Sequence, residues 1–300
     1  RLAKKYGGST STGEGTRKEM SVGRGGGNRA AGRYNQNSGG IVFFSGNCAG
    51  SAVSNCQFVA NVETRCHPNT TQSSMTGGTV DLLMDKKAST VDVVNCTIAY
   101  NYNDCKVCAS GVSLTKGKLK IVNSIIYDNV RNTSAGASTG ADLWVRAGHC
   151  DVSYSIITAD TNANGSATSI VTADPSRLTI DRDTTKFVDP LFVTDRETAE
   201  QYIHKGSSKK TKAFLPEEIE TVMAFNLHLR GGLGYCDETT GEIANDYATK
   251  RFASPAIDMG NPASDFRYEA RPRGTRINMG AYGNTPYATM SKGGTMLIVR

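Results

Sequence analysis

Two aspartates in matching surroundings, Asp81 in "GGTVDLLM" and Asp142 in "TGADLWV", are the residues of this 300-residue chain whose type and placement could do chemistry. Paired carboxyls across a sugar bond are the apparatus of a glycoside hydrolase. A base beside a neutralising cation is that of a polysaccharide lyase. When the segment around Asp81 is slipped by one residue, Asp81 and Asp142 point outward in one column with Ser113 between them. Trp144, the single tryptophan, is outward in the same register as Phe44 and Thr115, so Trp144 and Phe44 are candidate platforms for a sugar ring. The plainer alternatives are an isolated Asp on a solvated strand and an aromatic lying under a loop such as residues 130 to 139. Metal chemistry has less behind it. Cys105-Lys-Val-Cys108 is a lone CxxC without a second pair at zinc-ribbon spacing. Asp181 and Asp183 in "TIDRDTT" lack the Gly and terminal Glu of a calcium loop. No metal or other cofactor is expected.

Whether these residues meet depends on the elements that carry them, and those are announced by a repeat. "VSNCQFVAN" (53 to 61), "VVNCTIAYN" (93 to 101), "IVNSIIYDN" (121 to 129) and a blurred "VSYSIITAD" (152 to 160) align on Asn55, Asn95, Asn123 and Tyr154, at spacings of 40, 28 and 31 residues. Before that column the apolar positions stand two residues back, at Val53, Val93, Ile121 and Val152. After it they stand three residues on, at Phe58, Ile98, Ile126 and Ile157. A continuous strand keeps its alternation, so this change of phase marks a corner turned by one residue in a left-handed conformation, which Asn tolerates best after Gly. Upstream of each corner lies a strand introduced by Gly. Three short strands per copy, stacked at about 4.8 Å per rung, make a right-handed parallel β-helix. An antiparallel sandwich would need Asn-Gly hairpins, and none stands in the right place. Asn55, Asn95 and Asn123 then form a structural ladder, not a catalytic set, and Cys56 and Cys96 are core residues. Asp81 and Asp142 would lie two rungs apart, about 10 Å, at the upper edge of the ~6.5 to 9.5 Å of an inverting glycosidase.

The remaining composition is uneven. Residues 1 to 40 hold eight Lys or Arg against two Glu, with eleven Gly, while the other 260 residues balance 26 basic against 26 acidic. The basic excess therefore belongs to a Gly-rich irregular segment, residues 1–38, followed by coils over 39–193, a charged and partly helical insertion over 194–225, a C-terminal β-helix end over 226–290 and a tail over 291–300. Cys66 and Cys105 follow the repeat at similar offsets and are candidates for a bridge in an oxidising compartment. No apolar run is long enough to span a bilayer. Sequons stand at Asn69, Asn132 and Asn164.

The later markers "DPLFV" (189 to 193), "NLHLRGG" (226 to 232), "SPAIDMGNP" (254 to 262) and "RPRGTRINMGAYGNT" (271 to 285) resemble, in that order, the end of secreted bacterial right-handed β-helix proteins of the choice-of-anchor type, related in style to polymorphic outer-membrane protein repeats. The resemblance covers roughly residues 39 to 290. It implies an extracellular or outer-surface chain, a monomer within a larger modular protein, that presents loops on a rigid scaffold and binds a polysaccharide or cell-surface glycan without catalysis. The second expectation, by analogy of fold, is a polysaccharide lyase or glycoside hydrolase working in a groove on the Gly-led strands. No nucleic-acid partner is expected.

Overall fold

The computed structural model of the chain describes residues 19–20, 28–34, 42–63, 78–84, 89–103, 109–131, 142–158, 169–203, 221, 224–245 and 253–291. The expectations for Cys66, Cys105, Cys108, the three sequons and the helical pattern of Leu215, Ile219, Val222 and Met223 lie outside these residues.

Strands follow one another in threes. β1 (Glu19–Met20) and β2 (Asn28–Tyr34) come first, then β3 (Val42–Gly46), β4 (Ser51–Ser54) and β5 (Cys56–Glu63). The next coil has β6 (Val80–Met84), β7 (Thr90–Val94), β8 (Thr97–Ala99) and the short β9 (Tyr102–Asn103). After it come β10 (Val112–Lys116), β11 (Lys118–Val122), β12 (Ile125–Tyr127) and β13 (Val130–Arg131). The last two coils are β14 (Leu143–Val145), β15 (His149–Ser153), β16 (Ile156–Ile157) and β17 (Ile170–Thr172), β18 (Leu178–Ile180), β19 (Lys186–Phe187). They stack as three parallel sheets: β3-β6-β10-β14-β17 for first strands, β1-β4-β7-β11-β15-β18 for second strands, and a third built on β5, β8, β12, β16 and β19. This is a right-handed parallel β-helix.

The repeat aligns with the observed register. Val53, Val93, Ile121, Val152 and Ile180 are successive partners, as are Phe58, Ile98, Ile126, Ile157 and Phe187. The two stacks meet in one core with Leu82, Leu114 and Val145 of the first-strand sheet. At the corner between them Asn55, Asn95, Asn123 and Tyr154 all have φ between 46° and 52°. Because each stacked side chain fills space between its two neighbours, even one methyl is felt. Ile98→Val should lower stability by about 1 kcal/mol in urea titration. An unchanged midpoint would place Ile98 outside the packed interior.

Two features depart from expectation, and a third, a helix, falls in the insertion expected to be partly helical. The stack reaches back into the Gly-rich segment, since β1 pairs with β4 and β2 with β5, both parallel. Helix α1 (Arg196–Ile203) lies at the start of the charged insertion, anchored through Ala199 in the second apolar cluster and through Arg196 to Asp128 at 3.3 Å. Residues 226–290 add no coil among those described: their strand pairing is the antiparallel β20 (Tyr235–Cys236) with β21 (Ile243–Ala244) and a bridge of Phe192 to Leu229.

That C-terminal segment instead lies along the outside of the third-strand sheet. Val59, Ala99, Tyr127 and Ile125, on the outer face, share a cluster with Phe192, Phe225, Leu227, Leu229 and Met279. Burial on both faces explains the near-continuous apolar runs of these strands, whereas the second-strand sheet keeps one wet face and alternates: Lys118 and Lys120 are exposed, Leu119 and Ile121 buried. The closing motif seats on the Asn corner. Asn55 Nδ2 donates to the carbonyls of Ala281 and Gly283 at 3.0 and 2.8 Å, and Asn123 Oδ1 accepts the Asn261 N–H at 2.7 Å. Gly283 has to be glycine here, because a Cβ would stand 2.2 Å from Asn278 O and 2.4 Å from Asn95 Nδ2. His228 of "NLHLRGG" is stacked between Tyr235 and Tyr282, with ring centroids 3.8 and 3.7 Å away, and so ties that motif to "NMGAYG".

Candidate functional face

Outward positions of the first-strand sheet run Asp81, Ser113, Trp144 and Val171. Asp142 is not among them. It precedes β14 by one residue and sits at the corner, so the slipped alignment that put Asp81 and Asp142 in one column does not hold. Nor is either aspartate solvated: both are 0% exposed. Phe44 also belongs elsewhere. It pairs with Leu82, an inward position, and packs against the main core. Trp144's partner in β10 is Ser113, not Thr115, so Thr115 does not stand in Trp144's column. Trp144 itself is outward and half-buried, as expected.

Asp142 is held as the end of a second ladder. Asn61 Nδ2 donates to Asn101 Oδ1, Asn101 Nδ2 to Asn129 Oδ1, and Asn129 Nδ2 to Asp142 Oδ1, each at 2.7 Å. The backbone N–H groups of Asn61, Asn101 and Asn129 donate to the same acceptors at 3.0 to 3.1 Å, and Asp142 Oδ2 accepts the Thr158 N–H. An amide can pass a hydrogen bond along because it donates and accepts. A carboxylate only accepts, which suits it to the last position. Burial pushes its carboxyl up to about 7, against the lowering effect of the hydrogen bonds from Thr158 and Asn129. The ladder follows a second left-handed corner, at Ala60, Tyr100 and Asp128. Its signal was the last letter of the nine-residue repeat, Asn in three copies. Gly111 leads β10 because a Cβ there would stand 2.4 Å from Asp142 O and 3.2 Å from Asn129 Nδ2.

The wet exterior belongs to the second-strand sheet. Asp92, Lys120, Asp151 and Thr179 form one column, and Lys118 pairs with His149 beside it. His149 Nε2 lies 3.1 Å from Asp151 Oδ1 and 3.3 Å from Thr179 Oγ1. Both contacts fall on one ring nitrogen, so the three do not make a relay in which one nitrogen is held and the other takes a proton. Asp181 Oδ1 accepts the Asp183 N–H at 3.1 Å and closes a turn. Among the described residues no group of three or more His, Cys, Asp or Glu is placed to hold a metal, and no helix is long and apolar enough to cross a membrane. Burial pushes the thiols of Cys96 and Cys150 up, as for core residues.

Comparison with known proteins leaves the fold to stand alone: no family model, no curated protein and no solved structure matches the chain.

Proposed function

We propose that this chain is a β-helix scaffold of the secreted bacterial choice-of-anchor or polymorphic outer-membrane repeat type, held outside the cell or at its surface, which binds a polysaccharide or cell-surface glycan in an adhesin-like, non-catalytic way. Trp144 carries the reading. Along the outward column of the first-strand sheet Asp81 and Ser113 are buried, whereas Trp144 and Val171 are half-exposed. The face thus opens toward the last two coils with an indole at the opening, on a backbone fixed by pairing on both sides. A rigid aromatic is an economical sugar platform because little side-chain entropy is lost on contact.

Trp144→Ala should weaken glycan binding by about 1 to 3 kcal/mol, by analogy with stacking of planar rings on aromatics. Titration of the purified chain against a panel of neutral and acidic polysaccharides measures it, with new reducing or unsaturated ends assayed alongside. Absence of binding across the panel sinks the reading, and released ends that track protein concentration would turn it into an enzyme.

A further inference from the structure

We propose that the corner between the first-strand and second-strand sheets is a subsite row for an acidic polysaccharide, in which Arg146 pairs a sugar carboxylate beside the Trp144 platform and Lys116 and Lys118 flank it one coil away. The inference rests on the glycan reading and names the ligand class.

Arg146 follows β14 directly, and its N–H donates to Leu114 O at 2.8 Å. The ladder therefore continues one residue past Val145. Residue 146 falls on the same outward side as residue 144, because alternate residues of a strand share a face. The residue is half-buried, and its Nη1 is out of the solvent's reach with no hydrogen-bond partner. A buried donor without an acceptor is unfavourable. The part of Arg146 that stays exposed is where a carboxylate can approach, and guanidinium matches it best in a planar two-point geometry.

On the neighbouring coil Lys116 and Lys118 stand on either side of Gly117, both exposed, and neither makes an ion pair among the described residues. Other basic side chains nearby, among the described residues, lie beside acidic ones. Arg177 pairs with Asp174 at 3.2 Å, His149 contacts Asp151, and Lys120 stands between Asp92 and Asp151 in its column. Among the described residues, Arg146, Lys116 and Lys118 thus place positive charge along this corner without an ion pair. Successive coils are about 4.8 Å apart, close to the advance per ring of an extended pyranose chain. A polyuronate lying along the solenoid axis presents about one carboxylate per coil. A single-stranded nucleic acid fits less well, since it is normally held by a longer basic groove with several stacking aromatics.

The test is calorimetric titration of the full chain with polygalacturonate, its methyl ester, and a single-stranded DNA of equal charge. Expected are binding of polygalacturonate at least ~10-fold tighter than of the ester, loss of about 10-fold on Arg146→Gln, and no change toward the ester. The double variant Lys116→Gln, Lys118→Gln should weaken the polyuronate severalfold and flatten its salt dependence. This pair is exposed, so it stays informative if Arg146→Gln unfolds. Equal binding of acid and ester overturns the inference and leaves the glycan reading intact. Binding of neither overturns the inference, and the glycan reading is then decided by the wider polysaccharide panel. DNA bound as tightly, with the same sensitivity to Arg146 and the lysines, overturns the polysaccharide assignment in favour of a nucleic acid.

Discussion

Asp142→Ala should destabilise the fold by about 3 to 5 kcal/mol, measured as a shift of the urea midpoint with unchanged slope. The substitution removes no apolar packing of consequence, so the effect comes from the donors it abandons. The Asn129 N–H, the Asn129 side-chain amide and the Thr158 N–H all end on this carboxylate, in a place water does not reach. Each orphaned donor costs about 1 to 3 kcal/mol. Asp142→Asn separates the parts: it keeps an acceptor for Asn129 but turns an amide N–H2 toward the Thr158 N–H, so about 1 to 2 kcal/mol should be lost. A loss below 1 kcal/mol for the alanine variant would mean that the ladder does not end at residue 142.

Stability should fall as pH rises from about 4 to 8, the reverse of the usual behaviour of carboxylates. Burial pushes Asp142 up to about 7. It also pushes Glu269 up to about 7, with Asp258 adding to the rise and the N–H groups of Asn284 and Asn278 and the Arg273 charge opposing it. Both folded values lie above the unfolded ones, near ~3.9 and ~4.3, so between these limits the folded chain binds more protons than the unfolded one. The stabilisation is complete below about pH 4 and is lost as pH climbs through about 7, on the order of 3 kcal/mol for each group. Asp258 is also raised by burial and acts in the same sense. Exposed carboxyls oppose it only at the acid end. Asp174 is held low by the Ser176 hydroxyl, Asp181 by Thr184, Asp237 by the Thr240 N–H and Asp265 by Arg267, and they lose their contribution as pH falls below about 4. The optimum should therefore lie near pH 4 to 5. Urea midpoints at pH 4.5, 6 and 7.5 decide it: a flat or rising series contradicts the assignment, and Glu269→Gln and Asp142→Asn should each flatten the fall.

The clasp around Glu269 shows why its shift has structural meaning. Its Oε1 accepts the N–H groups of Asn278 and Asn284 at 2.8 and 3.0 Å, at the two ends of "NMGAYGN". Between those ends, Gly280 donates to Asn123 O and Ala281 to Thr97 Oγ1. One carboxylate thus shapes the segment that closes over the Asn corner.

The β-helix, its inward stacks and its Asn corner were legible in the residues because each is a local demand repeated in every coil. Alternation has a period of two, only a few residues accept positive φ, and a phase change at Asn55, Asn95 and Asn123 records both. The outward face of Trp144 was legible for the same reason. Parity failed where it had to be carried between coils. Phe44 was placed outward and Asp142 in the column of Asp81 by alignments one residue off, and in a strand one residue exchanges the two faces. The burial of Asp142 also depends on Asn129 in the preceding coil, and the covered third sheet depends on Phe192, Phe225, Leu227, Leu229 and Met279 returning across coils far away in sequence. Those contacts join residues up to 228 positions apart, as between Asn55 and Gly283. No local pattern encodes such a meeting, because it arises from the path of the chain around the solenoid and the apolar area that path brings together.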